Sequence, residues 1–320
     1  MRNLVKFVQD TNSQHKLWSE GEKMIIGVSG GPDSMCLLDI MRRISAKNNL
    51  EIIVAHVNYG LRGDDSDSDE KLVMKYAKEH NIVCEVLHYE DMSNGNENVW
   101  RNTRYDFFNR LAKKHKVNKI LVAHTKNDQA ETFLMHLLRG GGLQGLSAMR
   151  VVSDGGIIRP LLNTERRDVL VYCEDNNIKY NIDKTNNDKA FMRNRIRLDL
   201  LPKIKKEYNS NIVSTLASSA SVIADDYDFL LSNVDIFWKK EKNSIIFSAK
   251  KFVDKHPSLQ RATIRIMIKQ IKGNVNDIDN SFVEELRKAI GSTKNKHQTV
   301  YKKDLKLTKK GDTVRFMGIE

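Results

Sequence analysis

Short apolar runs alternate with longer helix-like patterns through the first half of the chain, and this alternation constrains the fold more than any other feature. Residues 23–28, 51–57, 82–88 and 119–123 read as strands; the first, second and fourth are continuous apolar runs of the kind buried on both faces of a parallel sheet. Helical patterns over 33–47, 69–80 and 98–116 separate them. Strand, helix, strand, helix at this spacing predicts an α/β fold, a doubly wound and mainly parallel sheet. Ligands of such sheets lie beyond the carboxyl ends of the strands, so functional residues are expected in the loops that follow strands.

At 320 residues the chain is too long for one average domain. Past about Asn209 the pattern changes: 211–238, 257–272 and 281–290 look helical, and 298–316 alternates like short strands. The expected organisation is a first domain over 1–208 and a smaller, mainly helical or α+β domain over 209–320, joined near "KIKKEYNSN" at 203–211. No internal repeat or low-complexity tract is visible. The longest apolar runs, such as 52–55 and 120–123, fall far short of the roughly 20 residues that span a bilayer. Residues 1–18 are polar and helix-like, unlike a secretory leader. Cys36, Cys84 and Cys173 are scattered, with no Cys-x-x-Cys pair, which excludes a disulfide framework. The expectation is a cytoplasmic protein with no membrane association.

A formal charge of +12 and a pI near 9.4 favour a polyanionic partner. Between residues 286 and 310 stand Arg287, Lys288, Lys294, Lys296, Lys302, Lys303, Lys306, Lys309 and Lys310, with Asp304 as the only acid. Such a run is either a solvated face or a contact surface for a phosphate backbone.

The first predicted strand ends in Ser29, Gly30, Gly31, Pro32, Asp33 and Ser34, and a helix follows at once. Two glycines let backbone N–H groups close on an anion, the helix points its positive end at the same place, and the two serines add hydroxyls. Pro32 suits the first turn of a helix. An ordinary glycine turn capped by Asp33 or Ser34 is the plainer alternative. Asp33 would repel phosphate unless a divalent cation lay between them, so a phosphate site here implies Mg²⁺ held by Asp33. No P-loop lysine is present, which suits a loop that holds the β- and γ-phosphates together as leaving pyrophosphate.

"SGGPDS" after a strand resembles the PP-loop of the N-type ATP pyrophosphatases. The further motifs "HVNYGLRGDDSDSDE" (56–70), "ENVWRNTRYDFF" (97–108), "AHTKNDQAETFLMHLLRGGGLQGLSAM" (123–149), "IRPLL" (158–162) and "RNRIRLDLLP" (193–202) resemble, in that order, the tRNA(Ile)-lysidine synthase family. The likeness is dense over about 23–202; "HPSLQRATIRIMI" at 256–268 resembles that family's helical C-terminal domain. It implies a PP-loop ATP pyrophosphatase domain of the adenine nucleotide alpha hydrolase type, followed by a basic tRNA-binding domain. The implied reaction uses ATP and Mg²⁺ to adenylate carbon 2 of the wobble cytosine in an isoleucine tRNA with a CAU anticodon. Free L-lysine then attacks through its ε-amine. A homodimer is left open, and the further C-terminal domain of longer members is expected to be missing.

In that scheme Ser29 to Ser34 and His56 bind ATP, and Asp33 also places the metal. Asp128 and Glu131 orient and help deprotonate the lysine amine, although Asp-x-x-Glu at a helix start is also a capping box. Arg101 and Arg104, three apart on one helix face, grip phosphate or carboxylate, or pack over Tyr105. Arg104 and Arg139 contact phosphate or the charge developing on the cytosine. Arg193, Arg195 and Arg197 face tRNA phosphates or the lysine carboxylate. The acidic run 64–70 reads most simply as a solvated helix start. Tyr59, Trp100, Thr125 and Asn127 depart from the family's commoner His, small residue, His and Asp, and Asn127 weakens any metal role at that position.

The nearest rival is a PP-loop tRNA thiolase; those resembling 2-thiocytidine enzymes rely on Cys-x-x-Cys pairs. A PP-loop amidotransferase would need a Cys-centred glutaminase half. A non-catalytic tRNA-binding module would have no reason to keep Ser29, Asp33, Ser34, Asp128 and Glu131 together.

Overall fold

A computed structural model describes residues 3–60, 63–89, 97–182, 188–275, 278–293, 297–302 and 304–319. Arg62, Lys294, Lys296 and Lys303 of the motifs above lie outside these described residues. The chain divides into two compact units, Met1–Met135 with Met149–Ser219, and His136–Ala148 with Ala220–Glu320.

The first unit is built on a six-stranded sheet of β1 (Lys23–Gly27), β2 (Glu51–Asn58), β3 (Val83–His88), β4 (Ile120–Leu121), β5 (Val152–Ser153) and β6 (Ile157–Ile158) in the order β3-β2-β1-β4-β6-β5. All neighbours run parallel except β5 and β6. The helices are α1 (Leu4–His15), α2 (Pro32–Asn48), α3 (Asp64–Glu79), α4 (Glu97–His115), α5 (Lys126–Leu138), which runs on into the second unit, and, after the short α6 (Gly142–Leu146) there, α7 (Arg166–Asp175), α8 (Met192–Arg195), α9 (Leu201–Glu207) and α10 (Ile212–Ser232).

Strand alternation explains the two layers. Met24, Ile26, Ile52, Val54, Leu121 and Ile158 face a core made with α1, α2, α3 and α7. Ile25, Ile53, Ala55, Ile120 and Ile157 point the opposite way, onto Phe107, Phe108 and Leu111 of α4. Successive side chains of a strand alternate between faces, so continuous apolar runs fill both cores. At Gly27 the approach of α4 is so close that an added Cβ would lie 2.5 Å from Phe108 Cζ. One buried carboxylate clamps the first layer. Asp39, 1% exposed, accepts from Tyr76 (2.7 Å), Tyr172 (2.6 Å), Arg42 Nη2 (2.8 Å) and Arg43 Nε (2.8 Å), tying α2 to α3 and α7.

The second unit has a five-stranded antiparallel sheet of β7 (Lys239–Glu241), β8 (Ser244–Ser248), β9 (Gln298–Lys302), β10 (Leu305–Lys310) and β11 (Thr313–Gly318), in the order β7-β8-β11-β10-β9. Helices α11 (Ala249–Val253), α12 (Pro257–Lys272) and α13 (Asn280–Gly291) complete it, with Ile245, Phe247, Met267, Leu286, Val314 and Phe316 among its buried side chains.

The helices and tail strands expected from the sequence are present; β5, β6, β7 and β8 were not expected, since two to five residues carry too little periodicity. Residues 203–207, expected as part of a joint, continue α9, because Lys and Glu are good helix formers. The units change over within α10 at Ser219, and 136–148 packs with the second unit. No helix among the described residues is long and apolar enough to cross a membrane.

Candidate functional site

The loop from Ser29 to Gly31 leaves β1 at its carboxyl end and enters α2 with Gly31 as N-cap, and no side chain caps the helix. That departs from the plainer reading of a turn capped by Asp33 or Ser34. The first-turn N–H groups of a helix have no intrahelical acceptors, and without a cap they are available to an anion. Gly30 adopts φ +88°, and a Cβ there would sit 3.1 Å from Asp69. Ser34 Oγ accepts the Ser29 N–H (3.1 Å), donates to Gly31 O (3.0 Å) and stands 3.2 Å from Ser29 Oγ. Its hydrogen is thus committed to the loop, which it shapes.

The acidic run after β2 is more than a solvated face. Asn58 donates to Asp67 (3.0 Å) and Glu70 (2.8 Å), and Asp69 accepts from Asn181 (2.8 Å), whose N–H in turn reaches Gly30 O (3.0 Å). These carboxylates hold the end of β2 and the phosphate loop in register. His56, 2% exposed, donates from Nδ1 to Val28 O (2.8 Å), so its buried Nε2 is an acceptor, unpartnered among the described residues. Burial pushes its pKa down and keeps it neutral.

Asp33 points one oxygen toward Arg166, 3.9 Å away at the start of α7, and its buried Oδ1 has no hydrogen-bond donor among the described residues. Burial lifts its pKa to about 6, with Arg166 pulling it down and Asp128 pushing it up. Asp128 and Glu131 are therefore close enough to be felt, and these three carboxylates form one group beyond the ends of β1 and β4.

The start of α5 corrects the expected capping box. The helix begins at Lys126, so Asp128 is its third residue and reaches back to Thr125, accepting from its N–H and hydroxyl (both 2.8 Å). Glu131 lies a turn further on, 1% exposed, and receives Arg197 in a two-point pair, Nε to Oε1 at 2.6 Å and Nη2 to Oε2 at 2.9 Å. Arg193 Nε is 3.4 Å from the same carboxylate, and Arg197 also reaches Asp128 Oδ1 at 3.3 Å. Burial pushes Asp128 up, but Arg193, the Thr125 N–H and Arg197 outweigh it and hold it below the ordinary carboxylate value. At Glu131 burial wins and the net direction is upward.

Arg193 and Arg197, four apart on a helical turn, thus face the carboxylates, whereas Arg195 is exposed and bonds to Lys189 O and Ala190 O (both 3.2 Å). Arg101 and Arg104 sit over the Tyr105 ring at 5.0 and 5.5 Å; Arg101 is exposed, and Arg104 Nε is buried with no acceptor among the described residues. Arg139 is exposed and belongs to the second unit. Asn127 caps α7 by accepting the Arg166 N–H (2.9 Å), which explains its side chain without a metal. Tyr59 and Trp100 touch one another.

Three contributors escaped the sequence reading: His124, Arg159 and Arg166. Arg159, 5% exposed, donates to His124 Nδ1 (3.2 Å), Arg150 O (2.8 Å) and Ser153 Oγ (2.6 Å). His124 therefore carries its proton on Nε2. Burial, reinforced by Arg159, Arg104 and Arg193, lowers its pKa to about 3. The signal was present, since His124 follows a strand and Arg159 lies in "IRPLL", but no spacing rule links residues 35 apart. Arg166, Arg193 and Arg197 stand against the three carboxylates, and Arg159 against His124, cations suited to a polyphosphate.

A PP-loop domain family model matches residues 2–204. The tRNA(Ile)-lysidine synthase of Clostridium tetani is 34% identical over 321 residues, covering 97% of this chain and 68% of that protein. This chain belongs to the tRNA(Ile)-lysidine synthase family. Its relative in Clostridioides difficile is 33% identical, covering 96% of this chain and 69% of that protein. The chain thus spans about two thirds of the length of both relatives. Among solved structures, a U34-tRNA thiolase from Methanococcus maripaludis superposes with a TM-score of 0.55 at 19% identity, covering 75% of this chain and 80% of that one. That likeness shows a shared fold.

Proposed function

We propose that this member of the tRNA(Ile)-lysidine synthase family joins free L-lysine to carbon 2 of the wobble cytidine in a CAU-anticodon isoleucine tRNA, in the cytoplasm, at the expense of ATP. The observation that carries the reading is an uncapped helix start bearing Asp33 beside Arg166, with Asp128 and Glu131 both held by Arg197 at the start of α5. Cytosine O2 attacks the α-phosphorus and pyrophosphate leaves; the lysine ε-amine then attacks carbon 2, the bond to O2 breaks, and AMP departs with that oxygen. Deprotonation of the amine accompanies its attack.

The N-terminus of α2 and the loop N–H groups cradle the departing pyrophosphate. Asp33 fits Mg²⁺: its Oδ1 is buried without a donor among the described residues, its proton affinity is raised, and Mg²⁺ is commonly bound by one or two carboxylates plus substrate phosphates. When bound, the ion would neutralise charge on the leaving phosphates. Asp128, ionised and fixed by Thr125, receives the lysine ammonium and orients it. Glu131 positions Arg193 and Arg197 toward phosphate or the lysine carboxylate. His124 offers an Nε2–H donor that stays neutral through the physiological range.

In the second unit several residues of the basic run serve the fold. Lys309 donates to Ile290 O and Ser292 O at the end of α13, Lys302 pairs with Asp279 (2.6 Å), and Arg287 with Glu284 (2.9 Å). Lys288, Lys306 and Lys310 are the described residues of that run assigned here to the tRNA backbone.

The test is direct. The protein is incubated with ATP, Mg²⁺, labelled lysine and a CAU isoleucine tRNA transcript, and acid-precipitable label, AMP and pyrophosphate are measured. Equal yields of all three are expected; a folded, ATP-binding protein that transfers no lysine refutes the assignment.

A further inference from the structure

Beyond the carboxyl ends of β2 and β3, four aromatic side chains gather that belong to none of the apolar cores. Tyr59 stands 6.3 Å from Tyr89, edge to face, and 6.5 Å from Trp100; Trp100 stands 6.5 Å from Phe191, just ahead of α8. All four are half-buried. The Tyr59 hydroxyl donates to Trp100 O (2.9 Å), so the start of α4 is pinned to the loop after β2. Trp100 Nε1 and, one turn along the same face of α4, Arg104 Nε are buried N–H donors with no acceptor among the described residues. A buried donor left unpaired is unfavourable, so each such group asks what it pairs with in the working protein.

The arrangement offers aromatic faces, an orphan donor at Arg104 Nε and the cationic side chains of Arg101 and Arg104. A flat π-system bearing carbonyl or ring-nitrogen acceptors and attached to phosphate satisfies all three, and that describes a nucleotide base. We propose that the Trp100 ring, braced by Tyr59 and Phe191, stacks an unpaired nucleobase, with Arg104 Nε donating to its acceptor edge. The inference rests on the proposed function in one respect: that reading supplies two bases, adenine of ATP and a base of the tRNA anticodon. Stacking tolerates either, because every base has a π-face.

The experiment separates the sources. Equilibrium affinities of the full chain for a CAU anticodon stem-loop RNA and for a non-hydrolysable ATP analogue are measured in wild type, Trp100→Ala and Trp100→Phe. Loss of a base stack should weaken one ligand about 10-fold or more in Trp100→Ala and leave the other within about twofold. Trp100→Phe should recover most of that loss, since it keeps an aromatic face for the stack. Weakened RNA binding assigns the platform to a tRNA base; weakened nucleotide binding assigns it to adenine. Unchanged affinity for both overturns the proposal.

If Trp100→Ala does not fold, tryptophan emission decides. Trp18 and Trp238 are only 6% and 8% exposed, so quenching by the cognate ligand should be present in wild type and absent from Trp100→Phe. No quenching by either ligand overturns the platform. Neither measurement requires lysine transfer. A wild type that transfers no lysine but loses base affinity with Trp100 would therefore refute the proposed function and leave the platform standing.

Discussion

Replacing Asp33 by Asn should make the free protein more stable and at the same time unable to use nucleotide. The carboxyl is buried, its Oδ1 has no donor among the described residues, and Arg166 stands 3.9 Å away, so burial lifts its pKa to about 6 from near 3.8. At about 1.36 kcal/mol for each tenfold change in proton affinity, the charged form costs the folded state roughly 3 kcal/mol. The folded-state value lies above the unfolded one, so wild-type stability gains from this group as pH falls from about 7 to about 4, and the penalty is complete above that window. The amide carries no charge at any pH. Urea unfolding followed by circular dichroism should show Asp33→Asn more stable by roughly 2–3 kcal/mol at pH 8, with the gap closing toward pH 4. Mg²⁺ and ATP at about 100 times the dissociation constant should then add about 2.7 kcal/mol to wild type and little to the variant, removing or reversing the order. The reasoning fails if the variant gains nothing at pH 8, or if a gap persists unchanged at pH 4.

Three further perturbations address the supports of the site. Arg197→Met leaves Glu131 buried with Arg193, 3.4 Å away, as the cation beside it and should cost about 3 kcal/mol, much of it regained in the Glu131→Gln/Arg197→Met pair; a double-mutant cycle measures the coupling. Asp39→Ala should cost about 3–5 kcal/mol by stranding Arg42, Arg43 and two phenols. Burial pushes Asp39 up, but its hydrogen bonds and Arg43 hold it below the ordinary value, so its stabilisation is complete above about pH 4 and lost only as pH falls through that lowered pKa. Gly27→Ala drives a methyl into Phe108 and should cost about 1–3 kcal/mol by thermal unfolding, relieved by Phe108→Leu.

Much of the first unit was legible because its strands are apolar on both faces and its helices are long. The order β3-β2-β1-β4 came from the structure, because right-handed crossovers fix the face on which each helix lies and not the sequence of strands across the sheet. What the sequence left open was the use of each polar group. The acidic run after β2 looked solvated, yet Asp69 is buried against Gly30 and Asn181 comes from 112 residues away. Ser34 looked like a phosphate donor and instead shapes the loop. Asp128 and Glu131 looked like a capping box; the box is Thr125 with Asp128, which frees Glu131 to hold two arginines.

By itself the sequence determined the periodicities, hence the doubly wound sheet, and the placing of Ser29 to Ser34 and Asp128 to Glu131 after strands, hence a glycine-rich helix entry and two carboxylates at the same end of the sheet. Periodicity and spacing act over a few residues, so a single chain displays them openly. Only the tertiary structure decided that Arg159 holds His124, that Arg197 pairs with Glu131 66 residues distant, and that Tyr59 meets Trp100. Those contacts join loops far apart in sequence, and the charge and proton affinity of each group depend on burial and on neighbours that exist only once the sheet has brought the strand ends together.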